Sequence, residues 1–238
     1  GEFVPLANLI VDAIPRERLK NGVATVIAAA KKKHSRLTPF RLGEGIVTGK
    51  IQIDKIEDLD REKTVATLKP MFDSAFRQLD RLRYKKEERR GRNKAYSQEK
   101  CVLVSTGNID QDCEQAVAAA QMGADLIRVV RSSGQSLMDA VPHGETQKGL
   151  GGTHASQENF RKMRQALDEV GAKMKKTIRL CHDSHGLCMP EIAVAGALEG
   201  VDVMTSDALY GPLFRDINPK RSFIDQYFAK IIMARAGM

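Results

Sequence analysis

Cys101-Val-Leu-Val-Ser105 opens a pattern that recurs as Leu126-Ile-Arg-Val-Val130, Thr177-Ile-Arg-Leu-Cys181 and Val201-Asp-Val-Met204. Each run is short, apolar and rich in β-branched residues, so each reads as a strand. Apolar residues at helical spacing follow them, over 110–122, 157–170, 190–198 and 222–236. Continuously apolar strands that alternate with helices build a parallel sheet covered on both faces. Four such βα units fit either an open doubly wound sheet or half of an eight-stranded barrel. Met122-Gly-Ala-Asp125 and Leu198-Glu-Gly-Val-Asp202 end helices and lead into strands as barrel turns do. Neither a P-loop pattern nor GxGxxG follows the first strand. The reading is therefore α/β, a (β/α) TIM-barrel type with an N-terminal helical layer and the first half of the barrel.

Upstream of residue 100 the spacing is helical: Leu6, Leu9, Ile10 and Ile14, then Val23, Val26, Ile27 and Ala30. Residues 62–90 read as a longer amphipathic helix through Val65, Leu68, Met71, Phe72, Phe76, Leu79 and Leu82. Gly43, Gly45 and Gly49 around Ile46-Val47 suggest a loop. The expected division is a helical region and linker over 1–100, then the βα units over 101–238.

With 238 residues, 42% hydrophobic and 29% charged, the chain is no disordered polymer. It has no apolar run of the roughly 18–20 residues that span a bilayer. Glu2, Asp12 and Pro15 interrupt the N-terminal apolar stretch, which argues against a signal peptide. Cys101, Cys113, Cys181 and Cys188 form no CxxC pair, so reduced, mostly buried thiols in a cytoplasmic protein are expected. Of the +8 net charge, residues 61–100 carry nearly all, with thirteen Lys/Arg against six Asp/Glu. A nucleic-acid patch over Arg81–Lys94 is disfavoured, because Glu87 and Glu88 interrupt it and only Tyr84 and Tyr96 could stack. A solvated helix end running into a linker is the preferred reading.

Ligands of parallel α/β sheets lie outside the carboxyl ends of the strands. Those ends carry Ser105 to Asn108, Arg131-Ser-Ser-Gly-Gln-Ser136, His182-Asp-Ser-His-Gly186, then Ser206 to Gly211 and Phe214-Arg-Asp-Ile-Asn218. A purely structural sheet would not need such polarity at every end. Arg131 to Ser136 offers a guanidinium fork, hydroxyls and a glycine, a set that suits an oxyanion, though a plain Ser/Gly loop with a surface Arg would read the same. Arg215 at the adjacent end favours a phosphate-bearing ligand. His182, Asp183 and His185, with Cys181 and Cys188 nearby, lack metal-ligand spacing, and Cys181 should point inward, so no metal is assigned. His182 and Asp183 remain candidates for acid–base work. No G-x-S-x-G elbow supports a hydrolase. Tyr210 reads as a core aromatic or as a platform for a flat ring.

Val104-Ser-Thr-Gly-Asn108, Arg131-Ser-Ser-Gly-Gln-Ser-Leu137, Gly151-Gly-Thr-His-Ala-Ser-Gln-Glu-Asn-Phe160, Gly186-Leu-Cys-Met-Pro-Glu191 and Leu209-Tyr-Gly-Pro-Leu-Phe-Arg-Asp-Ile-Asn218 together resemble the lysine 5,6-aminomutase α-subunit family. Val4-Pro-Leu-Ala-Asn-Leu-Ile-Val-Asp12 is similar to that family's N-terminal region, so the likeness spans nearly the whole chain. The resemblance implies a barrel that holds pyridoxal 5'-phosphate at its strand C-termini and works with adenosylcobalamin. It implies a smaller β subunit as partner, carrying the cobalamin and the lysine that bonds the pyridoxal cofactor, in a hetero-oligomer. The implied reaction is radical migration of the terminal amine of lysine or β-lysine to the adjacent carbon. Position by position, Arg131, Ser136 and Arg215 fall on phosphate contacts and Tyr210 on the tyrosine that stacks on the pyridine ring. Ser132, Ser133 and His154 are secondary cofactor-binding candidates.

The sequence departs from the family pattern at three places. His185 stands for a cofactor-contacting serine, Ala140 for a tyrosine, and His154 for the tyrosine of a Gly-Gly-Thr-Tyr phrase. The family's α subunit continues past the equivalent of Met238, so the expectation is a fragment, or a half-barrel whose two open edges a second chain completes. The large subunit of ornithine 4,5-aminomutase is the nearest alternative, and a non-catalytic fragment that binds a phosphate cofactor is another.

Overall fold

The computed structural model describes residues 6–90, 98–132, 153–154, 157–183, 190–205 and 219–238. The chain divides into two compact units, Gly1–Arg77 and Gln78–Met238.

The first unit is helical. It contains α1 (Leu6–Asp12), α2 (Arg16–Leu19), α3 (Val23–Lys33), α4 (Pro39–Val47) and the start of α5 (Arg61–Arg90). Ile14, Val26, Ala30, Leu42, Ile46, Ile51 and Ile53 form its core. The Arg18 guanidinium ties the connection after α4 to α2, donating to the carbonyls of Ile53 and Ile56 at 2.7 and 2.8 Å and pairing with Asp58.

The loop expected around Gly43 and Gly45 is instead helix α4. Thr38 caps its first turn, its hydroxyl accepting from Arg41 N at 3.3 Å, and Pro39 takes the position where a missing N–H costs nothing. Both glycines are there for closeness. A Cβ at Gly43 would stand 2.7 Å from the Ile10 Cδ1, and one at Gly45 2.8 Å from that of Ile51. Along α5 the expected apolar face is only partly covered: Leu79 is buried, but Val65 and Phe72 are exposed.

The second unit holds β1 (Cys101–Val104), α6 (Ile109–Gln121), β2 (Leu126–Ser132), β3 (Thr153–His154), α7 (Gln157–Met174), β4 (Arg179–Asp183), α8 (Pro190–Leu198), β5 (Val203–Thr205) and α9 (Pro219–Arg235). The sheet is parallel, in the order β1-β2-β4-β5, with β3 added to the end of β2. Strand order never reverses, and α6 packs on α7, α7 on α8 and α8 on α9. Right-handed crossovers in an unreversed order keep all helices on one face, which is the barrel arrangement rather than the doubly wound one. Among the described residues α6 to α9 thus line one face of the sheet, where helices on both faces were expected.

Alternation along the strands divides the residues between the faces. Val104, Ile127, Val129, Leu180 and His182 are buried on the helix side. Cys101, Leu103, Arg128, Cys181, Asp183, Val203 and Thr205 share the other side, the interior of a barrel. Leu103 there is 58% exposed and Cys101 is exposed as well, on the strand that ends the order of the described sheet.

Strand limits also differ from expectation, the first run ending at Val104 and the second continuing to Ser132. The third apolar run pairs from Arg179 to Asp183, and the fourth from Val203 to Thr205. Asp202 is drawn into side-chain bonding before its strand begins, and Gly200, at φ +76°, makes the turn out of α8 that a side chain would resist.

Candidate active site

The polarity at the end of β1 proves to be local architecture. Thr106 donates both its backbone N–H and its hydroxyl to Asp112 Oδ1, at 2.8 and 2.7 Å, and Asp112 is fully buried. Asn108 Oδ1 accepts from the amides of Asp110 and Gln111 and caps α6. These side chains are occupied in turning the chain into α6.

At the end of β2 the picture is different. Arg131 and Ser132 extend the strand and pair in parallel register with Thr153 and His154. The backbone therefore brings Arg131, Ser132 and His154, three of the candidate residues, to one corner of the carboxyl edge. Ser133, Ser136, His185, Tyr210 and Arg215, together with Cys188, lie outside the described residues.

His182 and Asp183, expected in the loop after the third strand, are its last two residues and point to opposite faces. His182 is fully buried with its ring edge-on to Phe160 of α7, centroids 5.0 Å apart. Asp183 turns to the interior face, where Arg128 Nη2 donates to its Oδ2. That bond, reinforced by the charge of Asp183, holds the Arg128 guanidinium above its usual pKa. Cys181 lies on the same face, one layer below Asp183, and burial pushes its thiol up to about 11. Among the described residues no group of three or more His, Cys, Asp or Glu could hold a metal.

Interior positions form layers across the strands. Register puts Leu103, Arg128, Cys181 and Val203 in one layer, and Val130, Asp183 and Thr205 in the next, nearest the carboxyl edge. Barrel interiors are dominated by Val, Ile and Leu, so an arginine in the middle layer is the unusual residue. Sequence reasoning passed over Arg128, although its signal was visible: one charge inside the otherwise apolar run Leu126–Val130.

The basic run at the end of α5 is not simply solvated, as expected. Lys86 is buried and donates to the Val201 carbonyl at 2.9 Å, and Arg83 pairs with Glu87. Among the described residues no helix is long and apolar enough to cross a membrane.

The family described as the D-lysine 5,6-aminomutase TIM-barrel domain of the alpha subunit matches residues 1–238. The lysine 5,6-aminomutase alpha subunit of Acetoanaerobium sticklandii is 46% identical over 242 residues, covering 99% of this chain and 46% of that protein. The alpha subunit from Fusobacterium nucleatum is 44% identical over 241 residues, with the same two coverages. The D-ornithine 4,5-aminomutase subunit beta of Acetoanaerobium sticklandii is 38% identical over 135 residues, 57% of this chain and 18% of that protein. The chain thus spans about half the length of the curated alpha subunits it matches.

Proposed function

The chain belongs to the D-lysine 5,6-aminomutase α-subunit family, and on that premise we propose that it is the pyridoxal-phosphate-binding part of an isomerase that moves the terminal amine of lysine or β-lysine to the adjacent carbon. The observation that carries the reading is the corner of the carboxyl edge where Arg131 and Ser132 of β2 run beside Thr153 and His154 of β3. A guanidinium and hydroxyls at the end of a parallel strand are the donors a phosphate dianion requires, so the residues present fit that cofactor.

Arg131, Ser136 and Arg215 would hold the phosphate, with Ser132, Ser133 and His154 near it. Tyr210 would stack on the pyridine ring, and His185 would contact the cofactor. Bound there, pyridoxal phosphate supplies a carbonyl that takes up the migrating amine, and adenosylcobalamin, held mainly by a partner β subunit, supplies the radical. The role of this chain is to orient the cofactor and keep water from the reacting centre. A hetero-oligomer in the cytoplasm is the setting this reading requires, and the unbridged thiols of Cys101 and Cys181 are in keeping with it.

The likeness to the D-ornithine 4,5-aminomutase subunit favours a second reading, the same chemistry on a diamino acid one carbon shorter. An absorbance titration with pyridoxal phosphate, of the chain alone and with a cobalamin-binding subunit, tests the shared core of both. Saturable binding that weakens at least tenfold in each of Arg131→Ala, Tyr210→Ala and Arg215→Ala is the expected result. A folded chain that binds no cofactor in either mixture, or variants that bind as well as the parent, would overturn the assignment.

A further inference from the structure

We infer that Arg128 and Asp183 form a charge-compensated floor under the phosphate-binding corner, and that Arg128 is a positioning residue that keeps this floor from repelling an anion. The inference rests on the pyridoxal-phosphate reading above and names what that site needs beyond its direct contacts.

Asp183 occupies the interior layer nearest the carboxyl edge, in register with Val130 on one side and Thr205 on the other. Arg131 is the next residue of β2 past that level. A carboxylate at this place, with its side chain only 6% exposed, would be costly alone and would set a negative charge against any phosphate bound at the corner. Arg128 starts one layer lower and reaches up to it, from a level where an aliphatic side chain would fill a barrel more cheaply.

The Asp183 carboxylate is covered, and the Arg128 guanidinium is the cation that meets it. The pair therefore sets a positive charge against the anion under the corner. Such a floor leaves a dianionic ligand unrepelled without a hydrogen bond to it.

Opposite charge effects at the two positions give the test its signs. Pyridoxal phosphate affinity is measured by absorbance in the wild-type chain and in Arg128→Met, Arg128→Lys, Asp183→Asn and the Arg128→Met/Asp183→Asn double variant, each checked for folding by circular dichroism. Arg128→Met should weaken binding about tenfold, the scale of one unit charge acting at about 10 Å in a partly buried site. Arg128→Lys should stay within about threefold of wild type. Asp183→Asn, which leaves the cation uncompensated, should bind more tightly, and the double variant should return close to wild type. A merely structural pair would give weaker binding in every variant.

Tighter binding in Asp183→Asn supports the inference even if Arg128→Met fails to fold. Weaker binding there, or an Arg128→Met variant that folds and binds like wild type, overturns it while leaving the cofactor assignment standing. A wild-type chain that binds no pyridoxal phosphate overturns the assignment and this inference with it.

Discussion

Arg164 of α7 and Asp202 at the entrance to β5 form a buried ion pair, Nη1 to Oδ2 at 3.3 Å. The same guanidinium donates to the Ile178 carbonyl at 2.9 Å and pairs with Asp168 at 2.9 Å. Asp202 accepts from Leu180 N at 3.0 Å and returns its own N–H to Leu180 O at 2.8 Å. Burial pushes the Arg164 guanidinium below its usual pKa, against the pull of the Asp168 and Asp202 carboxylates. This cluster joins a helix and two strands at their amino ends, the edge away from the candidate site. Barrels commonly divide the work this way, with stability at the amino edge and chemistry at the carboxyl edge.

Removing either half of that pair should be costly, because the other half is left charged and buried. Arg164→Met and Asp202→Ala should each lose about 3–5 kcal/mol in urea unfolding. The double variant should lose clearly less than the sum of the two. Pyridoxal phosphate binding by whatever fraction remains folded should be unaltered, since neither residue is near the carboxyl edge.

Lys86 makes a similar tie from α5, where its buried ammonium donates to the Val201 carbonyl. Methionine would keep the length of the stem and lose the donor. Lys86→Met should therefore cost about 1–3 kcal/mol, and thermal unfolding will register it as a lower midpoint. A variant as stable as wild type would show that Lys86 is buried by accident of packing alone.

Two glycines in helices allow opposite predictions for one substitution. A Cβ at Gly171 would meet the Lys176 carbonyl oxygen at 2.5 Å, and backbone cannot step aside cheaply. At Gly196 the nearest atom, at 2.6 Å, is the terminal methyl of Met204, which can rotate away. Gly171→Ala should destabilise by about 2–3 kcal/mol, overpacking outweighing the gain in helix propensity. Gly196→Ala should fall within about 1 kcal/mol of wild type in the same denaturant titration.

The cysteines should differ sharply toward alkylation. Cys181 is buried, and its thiol is pushed up from 9.0 to about 11 chiefly by that burial. At pH 8 only about one molecule in a thousand carries the thiolate there. Iodoacetamide on the native chain should modify exposed Cys101 and spare Cys181, as peptide mass mapping will show. Because the folded-state value is raised, Cys181 adds stability below pH 9 that is lost as pH rises through about 11, so unfolding in alkali should expose it to the reagent.

Much of the architecture was legible in the chain because it rests on local periodicity. Val23, Val26 and Ala30 repeat at helical spacing and are found in α3, and the runs from Cys101 and Leu126 are strands that begin where their apolar residues begin. Arg131 and Ser132 were recognisable as standing at the carboxyl end of the second strand, and they are its last two residues. Other features depended on distant partners and could not be read this way. Gly43 and Gly45 look like loop formers until Ile10 and Ile51 press against them. Thr106 and Asn108 look like ligand groups until Asp112 and the first turn of α6 use their bonds.

The sequence by itself determined that strands alternate with helices and which residues stand at the strand ends. Both follow from side-chain preferences acting within a few residues of each other. Only the tertiary structure decided that His182 turns to Phe160 while Asp183 turns to Arg128, since the face a strand residue takes depends on register against its neighbours. The charge of Arg128 is tolerable on that interior face because a carboxylate from the adjacent strand meets it there, two residues farther along the sheet.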